Sequence, residues 1–177
     1  MEKFPLQETK EDFYLGAGRM VPYKKFDLLV ETFLQLPEKK LVLIGDGPER
    51  KSLEKMAAGA SNIQFLGRVS DEDMTLYFGQ AQAFILPQKE DAGIVQLEAM
   101  SSGTPVIAYK AGGALDVITE NERGVFFEEQ TSDALMRAIE NFELKKWDYK
   151  KIHEETKQFN NESFVKNFCE IVERRFG

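Results

Sequence analysis

The sequence predicts an α/β fold: a doubly wound, parallel six-stranded sheet with helices on both faces. Three observations lead there. Six short apolar runs recur at regular intervals, most of them poor in charge, as strands buried on both faces should be. Amphipathic stretches with helical spacing lie between the runs, which implies parallel βαβ units. Right-handed crossovers then wind such units into a sheet whose ligands bind beyond the carboxyl ends of the strands. Those ends fall just after residues 17, 44, 66, 86 and 108, and glycines cluster after several of them.

Taken in chain order, residues 1–12 are polar and charged and read as a tail or linker. The predicted strands are Phe13–Ala17, Leu41–Ile44, Ile63–Leu66, Ala83–Leu86, Val106–Tyr109 and Gly124–Phe127. Apolar residues at 26, 29, 30, 33 and 34 draw a helical stripe through Tyr23–Leu36. Pro48 suits a first helical turn and opens a predicted helix over Glu49–Ala60. Ser70 or Asp71 is placed to cap a helix running to about Gln80. A helix over Ile94–Ser102 ends near Gly103. Thr131 or Ser132 is placed to cap Asp133–Phe142, and Trp147–Gln158 and Glu162–Phe176 are predicted helical. The organisation is a main domain over 13–145 followed by closing helices over 146–177.

Bulk composition narrows the function classes. A chain of 177 residues suggests one domain and buries roughly 70% of its unfolded surface, enough for a true core. Its 42% hydrophobic and 30% charged residues place it among globular chains rather than disordered ones. No apolar run approaches the ~18–20 residues that span a bilayer, and no secretion signal opens the chain. The net charge of −7 argues against a nucleic-acid partner. With a single cysteine, Cys169, no internal disulfide forms, and a reducing, cytoplasmic setting is expected. One histidine and one cysteine exclude a zinc cluster of the usual kind, and His153 is expected on a solvated helix face.

The chemistry concentrates at the strand ends. After the first comes Gly16-Ala17-Gly18-Arg19-Met20-Val21-Pro22-Tyr23-Lys24. Val21 occupies the third glycine position of a dinucleotide fingerprint, so an NAD enzyme is excluded, and a P-loop lysine is missing too. What remains is a permissive turn with Arg19 and Lys24 five residues apart, a planar fork and a compact charge suited to phosphate. The alternative is two ordinary surface cations. Gly45-Asp46-Gly47-Pro48 follows the second strand, where glycine lets backbone approach a ligand or simply turn.

The most informative segment runs from Pro87 to Met100. Glu90 in the loop and Glu98 about one turn inside the next helix can face one cleft. Gly93 leaves room for the N–H groups of Ile94 and Val95 to point at an anion. Such a segment holds a diphosphate by its backbone and two sugars by its carboxylates, or else carries two salt-bridging surface acids. A second glycine pair, Gly112-Gly113, follows the fifth strand as a further anion nest.

Together and in this order, Gly18 through Lys24, Ile44 through Glu49, Phe65 through Val69, Glu90 through Met100, Gly103 through Ala108 and Gly112-Gly113 resemble glycosyltransferase family 4 (group 1). The resemblance covers about residues 13–145 and implies the C-terminal, Rossmann-like half of a GT-B fold. Glu90 through Val95, with Gly112 through Leu115, is similar to O-antigen-type mannosyltransferases. The resemblance implies that Arg19 and Lys24 bind the donor diphosphate and stabilise the leaving group. It gives Glu98 the ribose hydroxyls and Glu90 the transferred sugar. It sets the backbone of Gly93, Ile94 and Val95 against phosphate or sugar, and Arg68 and Val69 against the base. No metal or other cofactor is implied, because cations and helix dipoles meet the leaving charge. Ala92 departs from the aromatic common at its position and opens the pocket.

The implied partner is a nucleotide-diphosphate sugar, GDP-mannose favoured, with transfer of a hexose to a glycan or lipid-linked acceptor with retention of configuration. The chain starts where the second half of such an enzyme starts, so the N-terminal acceptor-binding domain is expected to be missing and the chain alone inactive. The intact enzyme would associate peripherally with the inner face of a membrane. Phe159, Phe164, Phe168 and Phe176 are candidates for an orphaned interface with the missing half, or for packing on this sheet. The alternatives are a UDP-sugar transferase and a non-catalytic sugar-nucleotide-binding module.

Overall fold

The computed structural model describes residues 4–159, together with Cys169 and Arg175. Six parallel strands, β1 (Tyr14–Ala17), β2 (Leu41–Ile44), β3 (Ile63–Gly67), β4 (Ala83–Leu86), β5 (Val106–Tyr109) and β6 (Gly124–Phe127), form one sheet in the order β3-β2-β1-β4-β5-β6. The strand order reverses between β1 and β4, the switch point at whose carboxyl edge sheets of this kind form their ligand crevice. Pairing is in register, Leu15 beside Val42 and Phe84, and Ile107 beside Ile85 and Val125.

Alternation along the strands feeds two cores. Tyr14, Leu41, Leu43, Ile85 and Ile107 point to one face, against α1 (Phe26–Leu34), α2 (Arg50–Met56) and α6 (Ser132–Glu143). Leu15, Val42, Ile44, Phe84 and Leu86 point to the other, against α3 (Asp71–Gln80), α4 (Ile94–Ser101), α5 (Ala114–Val117) and α7 (Tyr149–Thr156). This two-sided burial is why the central strands read as unbroken apolar runs. No helix among the described residues is long and apolar enough to cross a membrane.

Several boundaries differ from the sequence expectation for identifiable reasons. The stripe over 23–36 divides into a 3₁₀ turn at Pro22–Lys24 and α1, because Lys25 adopts a left-handed conformation (φ 56°) between them. The helix expected to reach Ala60 ends at Met56, and the chain turns through Gly59 (φ 90°) into β3. Ser70 and Thr131 are the residues that cap α3 and α6, through Asp73 N–H and Ala134 N–H. The helix expected over 147–158 covers Tyr149–Thr156 and ends in a 3₁₀ turn, Lys157–Phe159. Trp147 precedes it and stacks on Phe142 with ring centroids 5.0 Å apart.

Residues 4–12 have no regular secondary structure, yet they are docked. Phe4 packs edge-on against Phe78, Gln7 N–H donates to Ser102 O, and Lys10 Nζ donates to Gly79 O (2.7 Å) and Thr104 Oγ1 (2.6 Å). His153 is not on a solvated face: its Nδ1 lies 2.5 Å from Ser101 O at the end of α4. A carbonyl only accepts, so Nδ1 carries the proton there. Phe159 packs against the second core and under Arg123 rather than standing free. Phe164, Phe168, Phe176 and the helix expected over Glu162–Phe176 lie outside the described residues.

Candidate functional site

The loops after β1, β2 and β3 interlock through their backbones. Gly18 N–H donates to Ile44 O (2.9 Å), and Gly45 N–H donates to Gly67 O (2.7 Å). Met20 N–H reaches Asp46 O, and Glu49 N–H returns to Met20 O. Gly45 has φ 132°, and a Cβ there would collide with the Gly18 carbonyl, so glycine is required by both conformation and space. This weave sets Arg19 and Arg68 on the loops either side of the β2 loop, over one edge of the sheet. Both are exposed, and neither side chain makes a hydrogen bond or ion pair among the described residues. Val69, beside Arg68, is partly buried against the second core.

The loop after β4 is built differently. Glu90 forms a parallel bridge with Gly112, and Gly113 N–H donates to Glu90 O (2.7 Å), which carries the β4–β5 pairing beyond Leu86–Ala108. A Cβ on Gly112 (φ 63°) would strike the Glu90 carbonyl. Gly112 and Gly113 therefore act as one brace on the backbone of Glu90. Gly93 (φ 64°) is the N-cap of α4 and supplies no side-chain cap, so the N–H groups of Ile94 and Val95 have no intrahelical partner. Glu98 lies one turn further in and is partly exposed.

The two constructions meet in one contact. Lys24 Nζ bonds Glu90 Oε1, joining the β1 loop to the β4 loop across the point where the strand order reverses. Lys24 makes this contact from the 3₁₀ turn, set apart from α1 by the left-handed Lys25. Both side chains are about one-fifth exposed (19% and 21%), so a ligand in the crevice can touch them. Burial alone would raise the Glu90 carboxyl; the bonds from Lys24 and Gln88 outweigh it and hold the group below its ordinary value. Arg19 is not drawn into this contact.

Two side chains here went unrecognised in the sequence. Gln88 is 4% exposed and donates to Glu90 Oε1 at 2.7 Å. Gln96 is fully buried on α4 and donates to Gly113 O at 3.2 Å, tying the helix to the second glycine pair. The available signal was a polar residue where buried neighbours are otherwise apolar. Among the described residues no group of His, Cys, Asp and Glu side chains is arranged to hold a metal.

A parallel sheet in this order, with cationic and carboxylate loops meeting over a glycine-started helix, defines a Rossmann-like α/β domain of the GT-B type. Known proteins agree. Residues 2–159 match the family described as "Glycosyl transferases group 1", so the chain belongs to that family. It is 36% identical over 118 residues to a sulfoquinovosyl transferase of Arabidopsis thaliana, covering 66% of this chain and 23% of that protein. It is 35% identical over 115 residues to a GDP-mannose-dependent monoacylated alpha-(1-6)-phosphatidylinositol monomannoside mannosyltransferase of Corynebacterium glutamicum, covering 58% of this chain and 30% of that protein. The chain thus spans less than a third of either relative.

Solved structures share the fold. A lipopolysaccharide outer core galactosyltransferase superposes with a TM-score of 0.83 at 20% identity, over 98% of this chain and 52% of that one. A pneumococcal O-GlcNAc transferase in complex with UDP and GlcNAc superposes with a TM-score of 0.79 at 18% identity, over 97% and 37%. At such identities the likeness speaks for the fold alone.

Proposed function

We propose that this chain is the donor-binding half of a retaining glycosyltransferase, and that its donor is GDP-mannose. The observation that supports this most directly is the Lys24–Glu90 bond across the crevice. It brings a cation and a carboxylate, groups suited to phosphate and to sugar hydroxyls, side by side in the loops that lead to α1 and α4. Diphosphate lodges between Arg19, Lys24 and the N–H groups of Ile94 and Val95. The N–H groups are fixed by the helix before reaction, and the two cations close on the charge that develops on the leaving diphosphate. Glu98 takes the ribose hydroxyls, Glu90 takes hydroxyls of the transferred hexose, and Arg68 and Val69 border the base. The acceptor, a glycan or a lipid-linked sugar, binds on a further domain, and the present chain alone binds donor with little or no transfer. A cytoplasmic setting at the inner face of a membrane completes the proposal.

A UDP-sugar donor is the second reading. It draws on the UDP complex of the pneumococcal neighbour, as the first draws on the GDP-mannose-dependent relative. Calorimetric titration with GDP, GDP-mannose, UDP and UDP-glucose separates the two. The expected result is binding of the guanine pair, with GDP-mannose tighter than GDP. Preference for the uracil pair transfers the proposal to the second reading, and no binding of any of the four sinks both. Glu98→Ala is expected to weaken GDP and GDP-mannose alike by roughly 1.5–3 kcal/mol, the loss of a charge-assisted hydrogen bond. An unchanged dissociation constant removes the ribose assignment.

A further inference from the structure

Glu90 takes both of its side-chain hydrogen bonds on one oxygen. Lys24 Nζ and Gln88 Nε2 converge on Oε1, while Oε2 accepts no bond among the described residues. The carboxylate is therefore oriented, with one oxygen held by protein and the other turned to a partly open crevice. The two donors are not equivalent. Lys24 is a mobile point charge on a flexible stem, and a diphosphate in the crevice competes for it. Gln88 is 4% exposed, and the chain on either side of it is braced. Gln130 Nε2 bonds Pro87 O at 2.8 Å on one side, and the Glu90–Gly112 bridge fixes the other. A buried amide is costly unless bonded, so an apolar residue would serve better as mere filling. Only the NH₂ end of the amide can face a carboxylate oxygen, which fixes its orientation.

We propose that Gln88 is a positioning residue that keeps Glu90 Oε1 occupied when diphosphate draws Lys24 away, so that Oε2 stays aimed at a hydroxyl of the donor sugar. The inference rests on the sugar-binding role given to Glu90 above. Selectivity for nucleotide sugar over bare diphosphate then depends on a residue that touches neither.

The test compares the full chain with its Gln88→Met and Gln88→Ala variants. Met keeps the volume without the donor, and Ala guards against an effect of Met packing. Titrations with GDP and GDP-mannose give a selectivity ratio for each protein. Both variants should bind GDP as the parent does, which also reports intact folding, while the ratio falls roughly tenfold. The Glu90 carboxyl, followed by ¹³C NMR with GDP bound, should titrate at higher pH in both variants, whereas lost packing alone would admit water and shift it the other way. If the parent prefers neither GDP-mannose to GDP nor UDP-glucose to UDP, the role of Glu90 fails and this inference goes with it. If the parent discriminates and the variants discriminate equally, or their Glu90 titration is unmoved, Gln88 does not position Glu90 and the inference alone is overturned.

Discussion

The two ends of this sheet solve the same problem in opposite ways. At the amino edge of the strands, polar groups find partners within the protein. Asn62 Nδ2 donates to Phe33 O, Leu36 O and Lys39 O at 2.9–3.1 Å, closing the end of α1. Tyr14 Oη donates to Glu143, which also receives Lys39, and burial with that acceptor pushes the phenol above its ordinary range. At the carboxyl edge, among the described residues, Arg19 and Arg68 make no such bonds, α4 starts without a side-chain cap, and Glu90 accepts on one oxygen alone. The difference separates residues whose side chains hold the fold from those to which the proposed function assigns a ligand.

Glycine is where that separation should break, because at the carboxyl edge the backbone itself is structural. Gly45→Val forces a side chain into the Gly18 carbonyl at φ 132°. It should cost roughly 3–5 kcal/mol, from strain and overpacking together. Urea titration checks this, and a midpoint close to the parent's would show that the β1 and β2 loops part easily.

Away from the glycines the comparison should sharpen. Asn62→Ala strips the donor from three carbonyls and is expected to cost about 2–3 kcal/mol of stability, with nucleotide affinity unchanged. Arg19→Ala should do the reverse: thermal unfolding stays within about 0.5 kcal/mol, because an exposed side chain without bonds is removed. Binding of the diphosphate weakens by about 1.5–3 kcal/mol. A variant that loses stability but not affinity would place Arg19 outside the ligand's reach.

The sheet was legible in the sequence because burial on both faces leaves little room for polar residues, and all six strands fall within a residue of their expected limits. Helix ends were less legible where conformation rather than pattern decides them. Lys25 carries no sign that it will turn left-handed, yet that turn sets Lys24, the partner of Glu90, apart from α1. The residue types at the crevice could be picked out one by one, since arginine, lysine and glutamate recur at strand ends beside glycines that the turns require. Their coupling could not. Gln88 and Gln96 act through contacts across the chain, and a lone glutamine in an apolar stretch does not name its partner. Residues 4–12 misled for the opposite reason: their charge suggested solvent, whereas Lys10 spends it on a carbonyl and a hydroxyl.

Lys10 also gives the smallest of the expected effects and a way to test the amino edge by pH. Its ammonium is held by Gly79 O and Thr104 Oγ1 beneath the Tyr149 ring, with no carboxylate bonded to it among the described residues. Burial pushes its pKa down to about 7. The folded state therefore disfavours the charged form relative to the unfolded chain, where an ordinary lysine titrates near 10.4. Below about pH 7 both states are protonated and the full burial cost is felt. Between about pH 7 and pH 10 the unfolded chain binds more protons than the folded one, so stability rises with pH. Partial solvation limits the gain to about 1 kcal/mol. Thermal unfolding across pH 6.5–9.5 should show this rise in the parent chain and lose it in Lys10→Met, which keeps the stem and removes the charge. A slope that survives in the variant would assign the dependence elsewhere and show that the strap over residues 4–12 holds its lysine charged at no cost.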